Sequence, residues 1–96
     1  MILILTAMKK HYNISVKGRV QGVGFRYNAR RQALSLGLDG FVRNMSDGSV
    51  YIEVEGNLSD LDEFVGWCQA GPSGSRVIDV HVSISNLEGL SGFNAF

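Results

Sequence analysis

The sequence predicts an α+β sandwich in the order βαββαβ, one antiparallel sheet with two helices on one face. Three observations carry that expectation. Apolar and polar residues alternate around Tyr12, Ile14 and Val16, around Val50, Ile52 and Val54, and around Ile78, Val80, Val82 and Ile84, which is the period of a strand with one buried face. Between those runs, apolar residues recur at helical spacing, at Phe25, Ala29, Ala33 and Leu36 and at Leu61, Phe64, Val65 and Cys68. The 96 residues, 45% hydrophobic with a single proline, are enough to bury one core and too few for a second.

The first strand starts near Tyr12 and stops at Gly18. A helix over roughly 25–36 follows, with Gly37 suited to the left-handed position that ends it. Gly40-Phe-Val-Arg-Asn-Met and the strand at 50–54 flank Asp47-Gly48, a strong hairpin signal. The second helix takes its N-cap from Asn57 or Ser59, has Asp60, Asp62 and Glu63 near the positive end of its dipole, and ends near Gly71-Pro72. The alternating run at 78–84 is the fourth strand, and Phe93 and Phe96 suggest a short terminal one. With two right-handed crossovers this order builds the ferredoxin-like sandwich, an architecture that is silent on function.

Nine basic and nine acidic side chains sum to zero, yet residues 1–43 carry eight of the bases and only Asp39, a sum of +7, against −7 for the remainder. That polarity suits an anionic ligand near the first half, or two halves that attract on folding. The lone Cys68 excludes an intramolecular disulfide framework and any multi-cysteine metal site. Ile2-Leu3-Ile4-Leu5 is too short for a signal sequence or a membrane span, so a cytoplasmic chain is expected, without membrane association. Met8 stands directly before Lys9-Lys10, so residues 1–8 are expected to be a disordered or non-native extension and 9–96 the single domain.

Gly18-Arg-Val-Gln-Gly-Val-Gly-Phe-Arg26 joins the first strand to the first helix. Its three glycines permit unusual backbone angles and close approach of a ligand, so that successive N–H groups can turn inward around an anion. The loop opens a helix N-terminus, which favours negative charge, and Arg26 adds a permanently charged planar fork matched to phosphate or carboxylate oxygens. The alternative is a glycine-rich connection whose arginine is merely solvated. Established phosphate loops fit poorly. Tyr27 stands where the dinucleotide fingerprint needs glycine, no Gly-Lys-Ser/Thr occurs, and Val20 occupies the nucleophile's place in a Cys-x5-Arg loop. With no side-chain nucleophile in the loop, water is the simplest acceptor for a transferred phosphoryl group.

Val16-Lys-Gly-Arg-Val-Gln-Gly-Val-Gly-Phe-Arg26, together with Gly40-Phe-Val-Arg-Asn44-Met-Ser-Asp-Gly48-Ser-Val50 and Gly56, resembles the two signature segments of the acylphosphatases, from about Lys9 to the C-terminal region. The resemblance implies the same βαββαβ fold and hydrolysis of small acyl phosphates to carboxylate and inorganic phosphate, with no metal and no cofactor. It implies that Arg26 binds the phosphoryl oxygens together with the backbone N–H groups of Arg19, Val20, Gln21, Gly22, Val23, Gly24 and Phe25, and that Asn44 orients the attacking water. A monomer is expected, with inorganic phosphate as product and competitive inhibitor. A second possibility within the resemblance is the related N-terminal domain of hydrogenase-maturation carbamoyltransferases, against which the chain's end at residue 96 is expected to speak. The apolar Met1–Ala7 stretch and the C-terminal Ser91-Gly-Phe-Asn-Ala-Phe96 depart from the family pattern, the latter in a way that bears on strand pairing and stability.

Elsewhere structural roles are expected. His11 and His81 sit on predicted strands with no nearby Cys or acidic ligand pattern and receive no role. Asp47 suits a hairpin tip, Cys68 the core, and Arg30 and Arg31 a solvated helix face, with Arg30 the nearer to the loop. The alternatives from other classes are an RNA-binding module of this fold, or a phosphate-binding module without catalysis. Gly40-Phe-Val is superficially similar to part of an RNA-binding motif, but the neighbouring strand is expected to lack paired aromatics and the arginines gather away from the sheet. No nucleic-acid partner is expected.

Overall fold

A computed structural model describes residues 8–96. The elements run β1 (Lys9–Arg19), α1 (Phe25–Ser35), β2 (Asp39–Asn44), β3 (Val50–Asn57), α2 (Leu58–Ala70), β4 (Arg76–Ser85) and β5 (Phe93–Ala95). The extension expected at residues 1–8 falls outside the described residues up to Met8, whose carbonyl accepts the Leu58 N–H at 2.9 Å at the start of α2. Asn57 holds the N-cap position of α2, but its side chain makes no capping bond. No helix among the described residues is long and apolar enough to cross a membrane.

The strand order is β4-β1-β3-β2-β5. Four strands pair antiparallel as the periodicities predict, and β5 adds to β2 in parallel, so the complete sheet is mixed. The parallel pairing has a simple cause. β4 ends beside the start of β1, and residues 86–92 must cross that end of the sheet to reach the far edge, where the chain re-enters in the direction of β2. Asp39 Oδ1 accepts the Gly92 N–H at 2.9 Å, and Glu55 accepts those of Glu88 and Leu90 at 2.5 and 2.9 Å, so the crossing segment is strapped to the sheet.

The strand period places Tyr12, Ile14, Val16, Val42, Ile52 and Val54 in one cluster with Phe25, Ala29 and Ala33 of α1 and Leu61, Phe64 and Cys68 of α2. Trp67 packs against Phe25 and Phe64, with centroids 5.2 and 6.1 Å away. Burial pushes the Cys68 thiol up to about 12, as suits a core residue. Two predicted inward residues of the last long strand are exposed, Ile78 at 76% and Ile84, near the end of this edge strand, at 64%, while Val77 packs on the core. For Ile78 the cause is a bulge between Lys17 and Gly18, after which Gly18 pairs with Val77 and Ile78 has no partner on β1. An extra residue reverses the facing of everything beyond it. Gly18 sits in the bulge at φ 127°, where a Cβ would stand 2.1 Å from the Arg76 carbonyl oxygen.

The other face of the sheet holds the second correction. His11 is wholly buried under the strap, and its partners are acidic. Nδ1 donates to Glu55 at 2.7 Å, and Nε2 lies 3.0 Å from Glu53. Burial opposes the charged imidazole, but hydrogen bonds to Glu55, Asn13 and Glu53 outweigh it and raise the His11 pKa. For Glu55, burial is outweighed by the N–H groups of Glu88 and Leu90 and by His11, and its pKa falls. An acidic setting for His11 was invisible in the sequence because those carboxylates lie more than forty residues away along the chain.

Candidate active site

The loop after β1 is pinned at three points and open between them. Val20 and Phe25 are buried at its two ends, and Val23 packs partly on the core. Gly22 and Gly24 alternate with these anchors at φ 74° and 77°, angles that L-residues with a Cβ rarely adopt. Gln21 adds a tie: its side-chain amide donates at 2.8 Å to the carbonyls of both Met45 and Ser49, joining the loop to the β2–β3 hairpin. That hairpin is stiffened by Asp47, which accepts the Ser49 hydroxyl and N–H at 2.6 and 2.9 Å. These two bonds hold its carboxyl below the usual carboxylate range.

α1 begins with Gly24 at the N-cap in the left-handed conformation, with no side-chain cap and no acidic residue in its first turn. The first-turn N–H groups of a helix have no partner within it, and here no side chain takes that place. Beside this terminus lies an open cleft of about 340 Å³ lined by Val20, Gly22, Gly24, Phe25, Arg26, Tyr27, Arg30, Asn44 and Ala95.

Arg26 and Asn44, far apart in sequence, therefore share one cleft with the glycines of the loop. Of the other expected loop residues, Val20 and Phe25 also line it, whereas Arg19, Gln21 and Val23 do not. Arg26 donates one N–H of its fork to the main-chain oxygen of Phe96, and Arg30 Nε donates to the Phe93 carbonyl at 2.9 Å. β5 and Phe96, the residue after it, thus brace the two arginines. The Asn44 side-chain oxygen is buried and has no hydrogen-bond partner.

Tyr27 and Ala95 were not expected in the cleft, and Arg30, expected on a solvated helix face as the arginine nearer the loop, lines it as well. Arg30 lies one helical turn after Arg26, which is the signal for a shared face. Nothing local announces Ala95, since its place depends on the parallel pairing of β5. The open face of the sheet carries a pair of aromatics that had been expected to be absent, Phe41 and Tyr51, with centroids 6.3 Å apart. The Arg43 guanidinium already lies over both rings, at 5.6 and 5.8 Å.

The architecture and its cleft define the class: a ferredoxin-like α+β domain with an arginine and a glycine loop gathered at a helix N-terminus. Comparison with known proteins narrows this. A sequence profile of the acylphosphatase family matches residues 12–95. An acylphosphatase from Trichormus variabilis is 49% identical over 84% of this chain and 80% of its own length. The crystal structure of acylphosphatase from Bacillus subtilis superposes with a TM-score of 0.89 at 42% identity, covering 93% of this chain and 99% of that one. A crystal structure of full-length HypF also superposes, with a TM-score of 0.83 at 28% identity over 93% of this chain but only 12% of that one. The chain belongs to the acylphosphatase family. It is an enzyme of that family, and family and fold together support hydrolysis of acyl phosphates.

Proposed function

We propose that the cleft hydrolyses the carboxyl–phosphate bond of small acyl phosphates by direct attack of water, without a metal or cofactor. Arg26 and the main-chain N–H groups of the loop over residues 19–25 hold the phosphoryl oxygens, and the amide oxygen of Asn44 accepts a hydrogen from the attacking water and aims it at phosphorus. The observation that carries this reading is the orphaned oxygen of Asn44. A buried acceptor without a donor costs about 1–3 kcal/mol, and a water bound in the cleft offers the missing donor.

The chemistry asks little more of the protein. Water oxygen bonds to phosphorus as the bond to the acyl oxygen breaks, the carboxylate departs without needing a proton, and the water proton passes to a phosphoryl oxygen. Catalysis then rests on positioning and on stabilisation of the equatorial oxygens. The cleft has room for one phosphate and a small acyl group, so inorganic phosphate is expected to compete with substrate. The enzyme is read as a monomer, and as one without a nucleic-acid partner because Arg43 covers the aromatic pair and the acids Glu53 and Glu88 share its face.

The test is steady-state hydrolysis of acetyl phosphate and benzoyl phosphate by wild type, Arg26→Ala and Asn44→Ala, with chelator present throughout. Turnover by wild type in chelator that collapses in both variants supports the mechanism. Undiminished turnover in Arg26→Ala or Asn44→Ala, or loss of wild-type activity on chelation, overturns it.

A further inference from the structure

On the open face, at the end of the sheet away from the glycine loop, four polar side chains converge on one imidazole. His11 Nδ1 is taken by Glu55. The opposite nitrogen, Nε2, faces three oxygens: Glu53 Oε1 at 3.0 Å, Asn13 Oδ1 at 3.1 Å and Glu88 Oε2 at 3.5 Å. A single proton on Nε2 can answer only one of these acceptors well. Among the described residues no lysine or arginine pairs with these carboxylates; their ion pairs all run to His11. A divalent cation would answer all the oxygens at once.

We propose that His11, Glu53 and Glu88 form a site for one divalent transition-metal ion of the zinc type, separate from the catalytic cleft. The three donor atoms lie within 4.8 Å of one another. Donors at roughly 2.0–2.2 Å from a tetrahedral zinc stand about 3.3–3.6 Å apart; the 3.5 Å from Nε2 to Glu88 falls in that range, and the 3.0 Å to Glu53 is short of it by an amount a side-chain rotation supplies. Asn13 Oδ1 offers a fourth position, its amide nitrogen being turned toward Ser85 Oγ at 3.2 Å.

The groups behind the donors are those that metal sites use. A ligating histidine commonly gives its other N–H to a carboxylate, which fixes the ring and makes the free nitrogen a better donor. Glu55 does this for His11 and is itself held by the N–H groups of Glu88 and Leu90 at 2.5 and 2.9 Å. The Tyr51 hydroxyl donates at 2.8 Å to the second oxygen of Glu53 and sets its orientation. Imidazole with carboxylates suits zinc and its neighbours in the first transition row, whereas magnesium prefers oxygen alone. Glu88 lies on the strap and the other donors on β1 and β3, so an ion here fastens residues 86–92 to the sheet.

The experiment is calorimetric titration of the tag-free protein with Zn²⁺ and with Mg²⁺, with native mass spectrometry for stoichiometry and a thermal melt with and without zinc. One zinc per chain and a raised Tm are expected, with no comparable magnesium binding. Affinity should fall roughly tenfold or more in Glu88→Gln, an exposed position whose replacement leaves the core intact, and should be unaltered in His81→Ala, which removes the exposed histidine. The His11 ring-nitrogen resonances should shift with one equivalent of zinc. Absence of zinc binding, undiminished affinity in Glu88→Gln, loss in His81→Ala, or equal affinity for magnesium would overturn the site.

Discussion

Where β1 runs into the glycine loop, the polar groups face open space: first-turn amides of α1 without a side-chain cap, an arginine at the rim and an asparagine oxygen with no donor. Where β1 begins, the reverse holds, and the carboxylate of Glu55 gathers a ring nitrogen and two main-chain N–H groups. Both ends belong to the same strand and the same sheet. Unsatisfied groups cost stability and are tolerable where a ligand completes them, whereas satisfied ones hold the chain in place. The cleft end thus leaves polar groups open to a ligand, while Glu55 ties the strap to the sheet.

Substitutions should separate the two. Arg26→Ala should reduce kcat/KM by roughly 10³-fold, about 4 kcal/mol of transition-state stabilisation, with little change in urea unfolding. Arg26→Lys should not restore it, since an ammonium lacks the planar fork. Asn44→Ala should lower kcat by about 10²-fold and at the same time raise the unfolding midpoint, because it removes a buried acceptor without a partner. A fall in both activity and stability would break the contrast.

Glu55→Ala should do the opposite, costing about 2–4 kcal/mol in urea unfolding by stranding His11 and two main-chain N–H groups, while kcat per folded molecule holds. The smallest effect concerns two phenols. Burial, with hydrogen bonds to Asp62 and Glu53, lifts Tyr12 and Tyr51 to about 12. A pKa raised on folding contributes stability that is complete below the unfolded value near 10 and is lost as pH rises toward 12. Urea midpoints should therefore drop between pH 10 and 12, and less steeply in Tyr12→Phe, which forfeits about 1 kcal/mol of hydrogen bonding at neutral pH.

The same contrast explains what the sequence disclosed. The glycine loop is contiguous, with three glycines and an arginine at a helix start, so the candidate loop and Arg26 could be picked out from the sequence. Three antiparallel strands and both helices followed from period, and the fourth strand, β2, from the Asp47-Gly48 hairpin signal. Asn44 entered through family likeness, since an isolated asparagine on a strand carries no local signal. Ile78 was misread because a bulge has no signature beyond Gly18, a residue that served equally as a strand terminator. The cluster around His11 was out of reach, its members being joined only by strand register and by the crossing at 86–92.

That register has a consequence for how the chain is made. β1 is central, with β3 on one side and β4 on the other, yet its outer partner ends at Ser85, paired with His11. At about 5–20 residues per second of synthesis, β1 waits roughly 3–13 s after its own completion before β4 is finished. During that interval Tyr12, Ile14 and Val16 lack the neighbouring strand on one side. Folding of this small enzyme is then paced by the arrival of its second half, and non-local closure of this kind is slow in its own right.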